Sequence, residues 1–242
     1  MDPVTMAFAL ALYAASLLFL AGLGYRVVLY ARTPAPLRIP TMPAPIDTSG
    51  VAWRMTREAA LFESLFASNK WTWLFGWTFH AAFVLVLLRH LRYFTQPVWP
   101  LVAWLSPLGV YAGFMMVAAL VALGARRVVI ERVRYVSTPS DHLMLVLLLL
   151  IAGTGLAMKY VAHTDIVALK AFVLGVMYFD WQPLPADPLL LVHLALVALL
   201  LAVFPVSKLL HAPGLFFSPT RNQVDDSRER RYVAPWAAAL DK

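Results

Sequence analysis

Five apolar runs separated by polar intervals set the pattern of this chain: residues 6–30, 71–94, 108–129, 143–161 and 189–210. Each is long enough to cross the ~30 Å hydrocarbon core of a bilayer as a helix rising ~1.5 Å per residue. The expected fold class is therefore an all-α integral membrane protein with five transmembrane helices. Between the first two runs, RTPAPLRIPTMPAP is punctuated by proline and should run extended, because proline and the residue before it leave the helical region. Residues 51–66 then carry Trp53, Leu61, Phe62, Leu65 and Phe66 at helical spacing. They predict an amphipathic helix lying in the membrane surface or against a partner. A second short helix on the membrane is expected over residues 165–178. The interval 95–107 has no Lys or Arg and carries Trp99 and Trp104, residues suited to the interface. The pattern divides into a membrane domain, residues 1–215, and a hydrophilic tail, residues 216–242.

Composition sharpens this. Of 242 residues, 61% are hydrophobic and 14% charged, against about 25% charged in a soluble domain. The net charge of +7 would admit nucleic acid as a partner, but the basic residues gather at the ends of apolar runs, which excludes that class and points to membrane orientation. All but four of the 20 Lys and Arg (the exceptions are Arg89, Arg92, Lys159 and Lys170) fall on one side of the five-span arrangement. The positive-inside rule then places the N-terminus outside and the C-terminus in the cytoplasm of a multi-pass inner-membrane protein. The first run has no basic residue before it and no small-residue cleavage site after it, so a retained helix is expected. The chain has no cysteine, which excludes disulfides, thiolate iron–sulfur ligation and a cysteine nucleophile.

The candidate chemistry lies in the histidines. His80 and His90 sit in the second run, His193 and His211 in or at the end of the fifth. Imidazole is costly in a lipid-spanning segment and generally has a partner or a task there. Haem b is held by two axial imidazoles from facing helices of a bundle. The second and fifth spans are antiparallel, so pairing by depth gives His90 with His193 near the outside and His80 with His211 near the cytoplasm. Ten residues separate the first pair along its span, ~15 Å of rise, and eighteen separate the second, ~27 Å or five whole turns, so both rings would share a face. Tilt and a break at Pro205 must absorb the ~12 Å difference. The reading is two bis-histidine haems b on the order of 20 Å apart. Gly76, Gly153 and Gly155 are small residues that would let a flat macrocycle approach. Arg89, Arg92 and Lys208 lie near the ligands, Arg89 and Lys208 being the candidates for haem-carboxylate partners. His142, after Ser140 and Asp141, reads as interfacial and His163 as a solvated loop residue.

Histidines ten apart on one helix and eighteen apart on another, in a five-helix chain, resemble the gamma subunit of respiratory nitrate reductase. That resemblance implies a di-haem cytochrome b that exchanges electrons with membrane quinone (menaquinone or ubiquinone), with the same histidine pairings. The flanking segments RTPAPLRIPTMPAP, SNKWTWLFGWTFH, LRHLRYF and SPTRNQVDDSRERR resemble the M subunit of the sulfite-reduction-associated Dsr membrane complex over nearly the whole chain. This second resemblance implies a role in dissimilatory sulfur metabolism and a cytoplasmic iron–sulfur partner similar to heterodisulfide reductase, with further periplasmic and membrane subunits. The tail would offer a docking surface. Family precedent puts the quinone site beside the outer haem, with Arg89, Arg92 and Lys159 as candidates.

Other readings of the residues stay open at this stage. The chain could be the cytochrome of a nitrate reductase or heterodisulfide reductase complex. It could also be a non-redox membrane anchor, or a transporter whose histidines relay protons, although no internal repeat is evident.

Overall fold

The computed structural model describes residues 2–34, 39–226, 228–229 and 233. Arg38, Arg230, Arg231 and the end of the tail lie outside the described residues. The described chain is all helical. Its five longest apolar helical segments, Pro3–Arg32, Lys70–Tyr93, Pro100–Val129, Pro139–Ala162 and Pro188–Val206, are each long and apolar enough to cross a membrane.

Polar residues fix where these helices start. Helix α1 (Pro3–Arg32) begins at Asp2, whose carboxylate accepts from the Val4 and Thr5 amides. The surface helices α2 (Thr48–Leu61) and α3 (Glu63–Ser68) follow, then α4 (Lys70–His90), capped by Asn69. Helix α5 (Pro100–Val129) opens on proline, which lacks only an amide that would go unpaired there. After the short α6 (Glu131–Val136), helix α7 (Pro139–Ala157) starts with a reciprocal capping box between Thr138 and Asp141. Asp165 caps α8 (Ile166–Tyr178) and Asp187 caps α9 (Pro188–Val203), while α10 (His211–Phe216) ends the helical part.

In the bundle α4 lies along α5, α5 against α7, α7 against α9, and α9 against α1; among the described residues α4 and α9 are not a packed pair. Lipid is as apolar as a leucine side chain, so close approach must come from small residues. A Cβ on Gly109 would stand 2.8 Å from Arg89 Cβ, one on Gly113 2.9 Å from Leu156 Cδ2, and one on Gly22 2.6 Å from Pro205 Cβ. Two clusters form the interior. Ala82, Ala112, Met116, Leu120 and Ala152 join α4, α5 and α7. Ala9, Leu169, Phe172, Leu184 and Leu190 join α1, α8 and α9 at the end of the bundle that holds α8.

Four sequence expectations need correction. The third span starts at Pro100 and carries Pro107 inside it, so most of the interval read as 95–107 is helix. The helix expected over 51–66 is two helices, broken at Phe62, which adopts φ 52° and ψ 46°. The break has a partner-based cause: Trp77 Nε1 donates to the Ala60 carbonyl (3.0 Å) and Trp73 Nε1 to that of Leu61 (2.7 Å). These are the acceptors that the amides of Ser64 and Leu65 would take in a continuous helix. The fifth span is not continuous to residue 210. It tightens at Phe204–Val206, passes through an extended Ser207 (φ −98°, ψ 168°) and resumes at Lys208–Leu210. Proline at 205 removes one ladder donor, so five whole turns do not connect His193 to His211. Finally, the proximal tail is docked. The Thr41 amide donates to the Thr220 carbonyl (2.7 Å) and the Asp225 amide to Pro45 (2.8 Å). Arg221 pairs with the buried Glu58 at 2.6 Å. The expected short helix near 165–178 is present as α8.

Candidate functional site

The four span histidines fall at two levels of the bundle. His80, midway along α4, and His211, first residue of α10, have ring centroids 5.8 Å apart with planes at 85°. His90, last residue of α4, and His193, near the start of α9, lie within electrostatic reach of one another. Phe62 packs on His80 at 5.0 Å and Tyr93 on His90 at 5.9 Å. His193 is 9% exposed.

Each of the four rings has Nδ1 on a protein partner. His80 Nδ1 donates to the Gly76 carbonyl and His90 Nδ1 to that of Val86, each at 2.7 Å. His211 Nδ1 donates to the Lys208 carbonyl at 3.1 Å. His193 Nδ1 lies 2.8 Å from Thr154 Oγ1, whose own hydrogen goes to the carbonyls of Leu150 or Ile151, so the hydroxyl oxygen accepts from the ring. A carbonyl can only accept, which fixes the proton on Nδ1 of His80, His90 and His211 and leaves Nε2 with its lone pair; for His193 the same tautomer follows from the Thr154 hydrogen being directed to its own helix. This is how ligating imidazoles are set: the second nitrogen is tied down and the first is presented to the metal. Among the described residues no hydrogen bond reaches any of the four Nε2 atoms.

These residues fit haem iron. Two rings on opposite sides of one metal at ~2 Å metal–nitrogen distance have centroids ~6 Å apart, close to the His80–His211 spacing. Among the described residues there is no cluster of three or more His, Asp or Glu able to hold a metal ion; a bis-imidazole iron needs only two side chains, since the macrocycle supplies the rest. The glycines differ in setting. Gly155 sits beside His193, where a Cβ would be in ordinary contact at 3.5 Å. A Cβ on Gly76 would meet Leu65 at 3.8 Å, and Gly153 is exposed with nothing within 4 Å.

The cations also have places. Arg89 is half-buried against Gly109 and donates one N–H to the Ser106 carbonyl at 2.5 Å. Arg92 stacks over Tyr93 and Lys159 over Tyr160, both at the His90–His193 end. Lys208 Nζ pairs with Asp141 Oδ2 at 2.8 Å, and Arg127 Nη1 approaches the same oxygen at 4.0 Å. Asp187, capping α9 beside the His90–His193 end, accepts from the Thr164 hydroxyl, which is the main reason its carboxyl stays below the ordinary carboxylate range. His142 is half-buried and His163 exposed, the latter in the left-handed region at φ 53°.

Sequence reasoning missed Thr154, Glu58 and the two indoles that hold α2. Threonine in a span bonds its own helix so commonly that nothing marks this one until α9 lies beside it. Glu58, a buried acid four residues from Arg54 on an amphipathic stretch, carried a signal only in its apolar surroundings.

Residues 46–225 match the family described as nitrate reductase gamma subunit, an interval that contains all four histidines, Glu58, Asp141 and Arg221. Two curated relatives are similar over most of the chain. The Hdr-like menaquinol oxidoreductase cytochrome b-like subunit of Archaeoglobus fulgidus is 37% identical, over 94% of this chain and 82% of that protein. The subunit of the same description from Archaeoglobus profundus is 34% identical, over 90% of this chain and 79% of that protein.

Proposed function

The chain belongs to the nitrate reductase gamma-subunit family, and from that premise we propose that it is a membrane di-haem cytochrome b. It carries electrons between the quinone pool and a partner subunit of an oxidoreductase complex. The single observation that carries the reading is that four histidines, two at each of two levels of the bundle, all hold Nδ1 on a protein acceptor and present Nε2. His90 and His193 would hold one haem, and His80 and His211 the other. Haem b, when bound, supplies one-electron redox chemistry at its iron.

The chain's own residues supply position and polarity. Gly76, Val86, Thr154 and Lys208 fix the four imidazole tautomers. Arg89 spends one of its five donors on Ser106, so the others serve a haem carboxylate; Lys208 lies beside the second pair and answers first to Asp141. The His90–His193 end faces outside, with the N-terminus, and the tail lies in the cytoplasm. Quinone, menaquinone on the precedent of the relatives' names, binds at the outer end. There Arg92, Lys159 and Arg89 are the polar groups able to hydrogen-bond a quinone carbonyl. A cytoplasmic iron–sulfur subunit similar to heterodisulfide reductase docks at the His80–His211 end, and the segments resembling the Dsr M subunit tie the complex to sulfur metabolism.

The ligand assignment is tested by substitution. His90→Ala and His193→Ala should each remove the same spectral component, and His80→Ala and His211→Ala the other. If His90→Ala and His211→Ala shared a component, the pairing would be wrong.

A further inference from the structure

Three of the four ligating histidines are carried by the long spanning helices, whose ladders hold their backbones. His211 is not. It follows the break at Phe204–Ser207 and is exposed, so helix α9 transmits no fixed orientation to it. Leu210 beside it is buried, and the Ser207 side chain stitches the turn locally by donating to the Phe204 carbonyl and accepting from the Leu209 amide. The polar tie to the bundle is Lys208. Its carbonyl accepts from His211 Nδ1 (3.1 Å), and its ammonium holds Asp141 Oδ2 (2.8 Å) and reaches Thr138 Oγ1 (3.5 Å).

Asp141 is built to be a fixed post. Its side chain is 7% exposed. Oδ2 accepts from the Thr138 amide (2.8 Å) and hydroxyl (2.9 Å), which locks it in the first turn of α7. Arg127, in the last turn of α5, stands 4.0 Å from the same oxygen. One carboxylate oxygen thus gathers α5, α7 and the segment after α9. An ordinary surface ion pair contributes little because both side chains wander; here one partner is immobilised, so the pair orients what the other carries.

We propose that Asp141 is the positioning residue for His211, acting through Lys208 to hold this one ligand against its iron. The proposal rests on the reading of His211 as an axial ligand. It makes the His80–His211 centre the one whose ligation depends on a tertiary tether. When the tether is cut, His211 swings away for part of the time and that centre becomes partly five-coordinate, high-spin and open to carbon monoxide.

The test uses the purified haem-loaded full chain, with electron paramagnetic resonance of the oxidised form and carbon monoxide difference spectra of the reduced form. Asp141→Asn should convert part of the component that His80→Ala removes from low-spin to high-spin and give it a carbon monoxide difference signal that the wild-type chain lacks. The other component should stay low-spin and inert. Lys208→Met, which leaves the capping box intact and serves if Asp141→Asn does not accumulate, should give the same result, and Asp141→Glu should keep most of the low-spin signal. Two low-spin, inert components in Asp141→Asn or Lys208→Met would overturn the proposal, and so would equal loss of both components in a folded sample. Failure of the underlying ligand reading shows separately, as a wild-type chain without two low-spin components or a His211→Ala chain that keeps both.

Discussion

An imidazole in a membrane bundle has two nitrogens to satisfy, and the accounting at each ring carries most of the functional argument. Where Nδ1 is committed, Nε2 is presented. Thr154 makes this commitment across helices for His193, whereas His80 and His90 bond within their own helix. Thr154→Val, which keeps the shape and removes the acceptor, should therefore perturb only the component that His193→Ala removes. A loss of about 10–100-fold in haem affinity is expected for an outer-shell partner. Thr154→Ser should restore it, and haem titration with redox potentiometry would read both. The proposed histidine pairs come from spacing and antiparallel topology, because depth couples His90 to His193 and His80 to His211. The partners of those histidines were not legible, since Thr154 and Asp141 become significant only when α7 is laid beside α9 and the segment that follows it.

At the scale of elements, the spanning helices were readable because apolar length is a strong signal, and the errors arose where side chains overrode local pattern. Proline at 107 marked an interval in the sequence, yet α5 passes through it; the Ser106 hydroxyl bonds the Val102 carbonyl and Arg89 takes the Ser106 carbonyl. The layer over the His80–His211 end was read as one amphipathic helix and a hydrophilic tail. It is a single stitched unit, in which Glu58 accepts from Arg221 and from the Ser64 amide and hydroxyl, and Phe62 reaches His80. Arg221→Ala leaves a buried carboxylate short of its cation, a loss of about 1–3 kcal/mol. Hydrogen exchange should show residues 218–226 losing protection while α5 and α7 keep theirs. Unchanged protection in that segment would mean that the tail is held by its backbone contacts alone.

For the whole molecule, the direction of charge movement depends on which end faces which compartment. The uneven distribution of Lys and Arg sets that direction in the present account. The absence of cysteine makes a clean assay available: single cysteines at Tyr135 and Phe179, which are 89% and 80% exposed at opposite ends of the bundle. With a membrane-impermeant maleimide, Phe179→Cys should label in intact cells, and Tyr135→Cys only in inverted vesicles. The reverse pattern would turn the molecule over and move the quinone end to the cytoplasm. The central claim, two haem centres on one chain, is tested most directly by a reduced-minus-oxidised spectrum of the purified protein together with its haem-to-protein ratio. The account predicts two low-spin b-type haems per chain. A folded, haem-supplied preparation with one haem would make one histidine pair structural, and a preparation with none would contradict the cytochrome reading altogether.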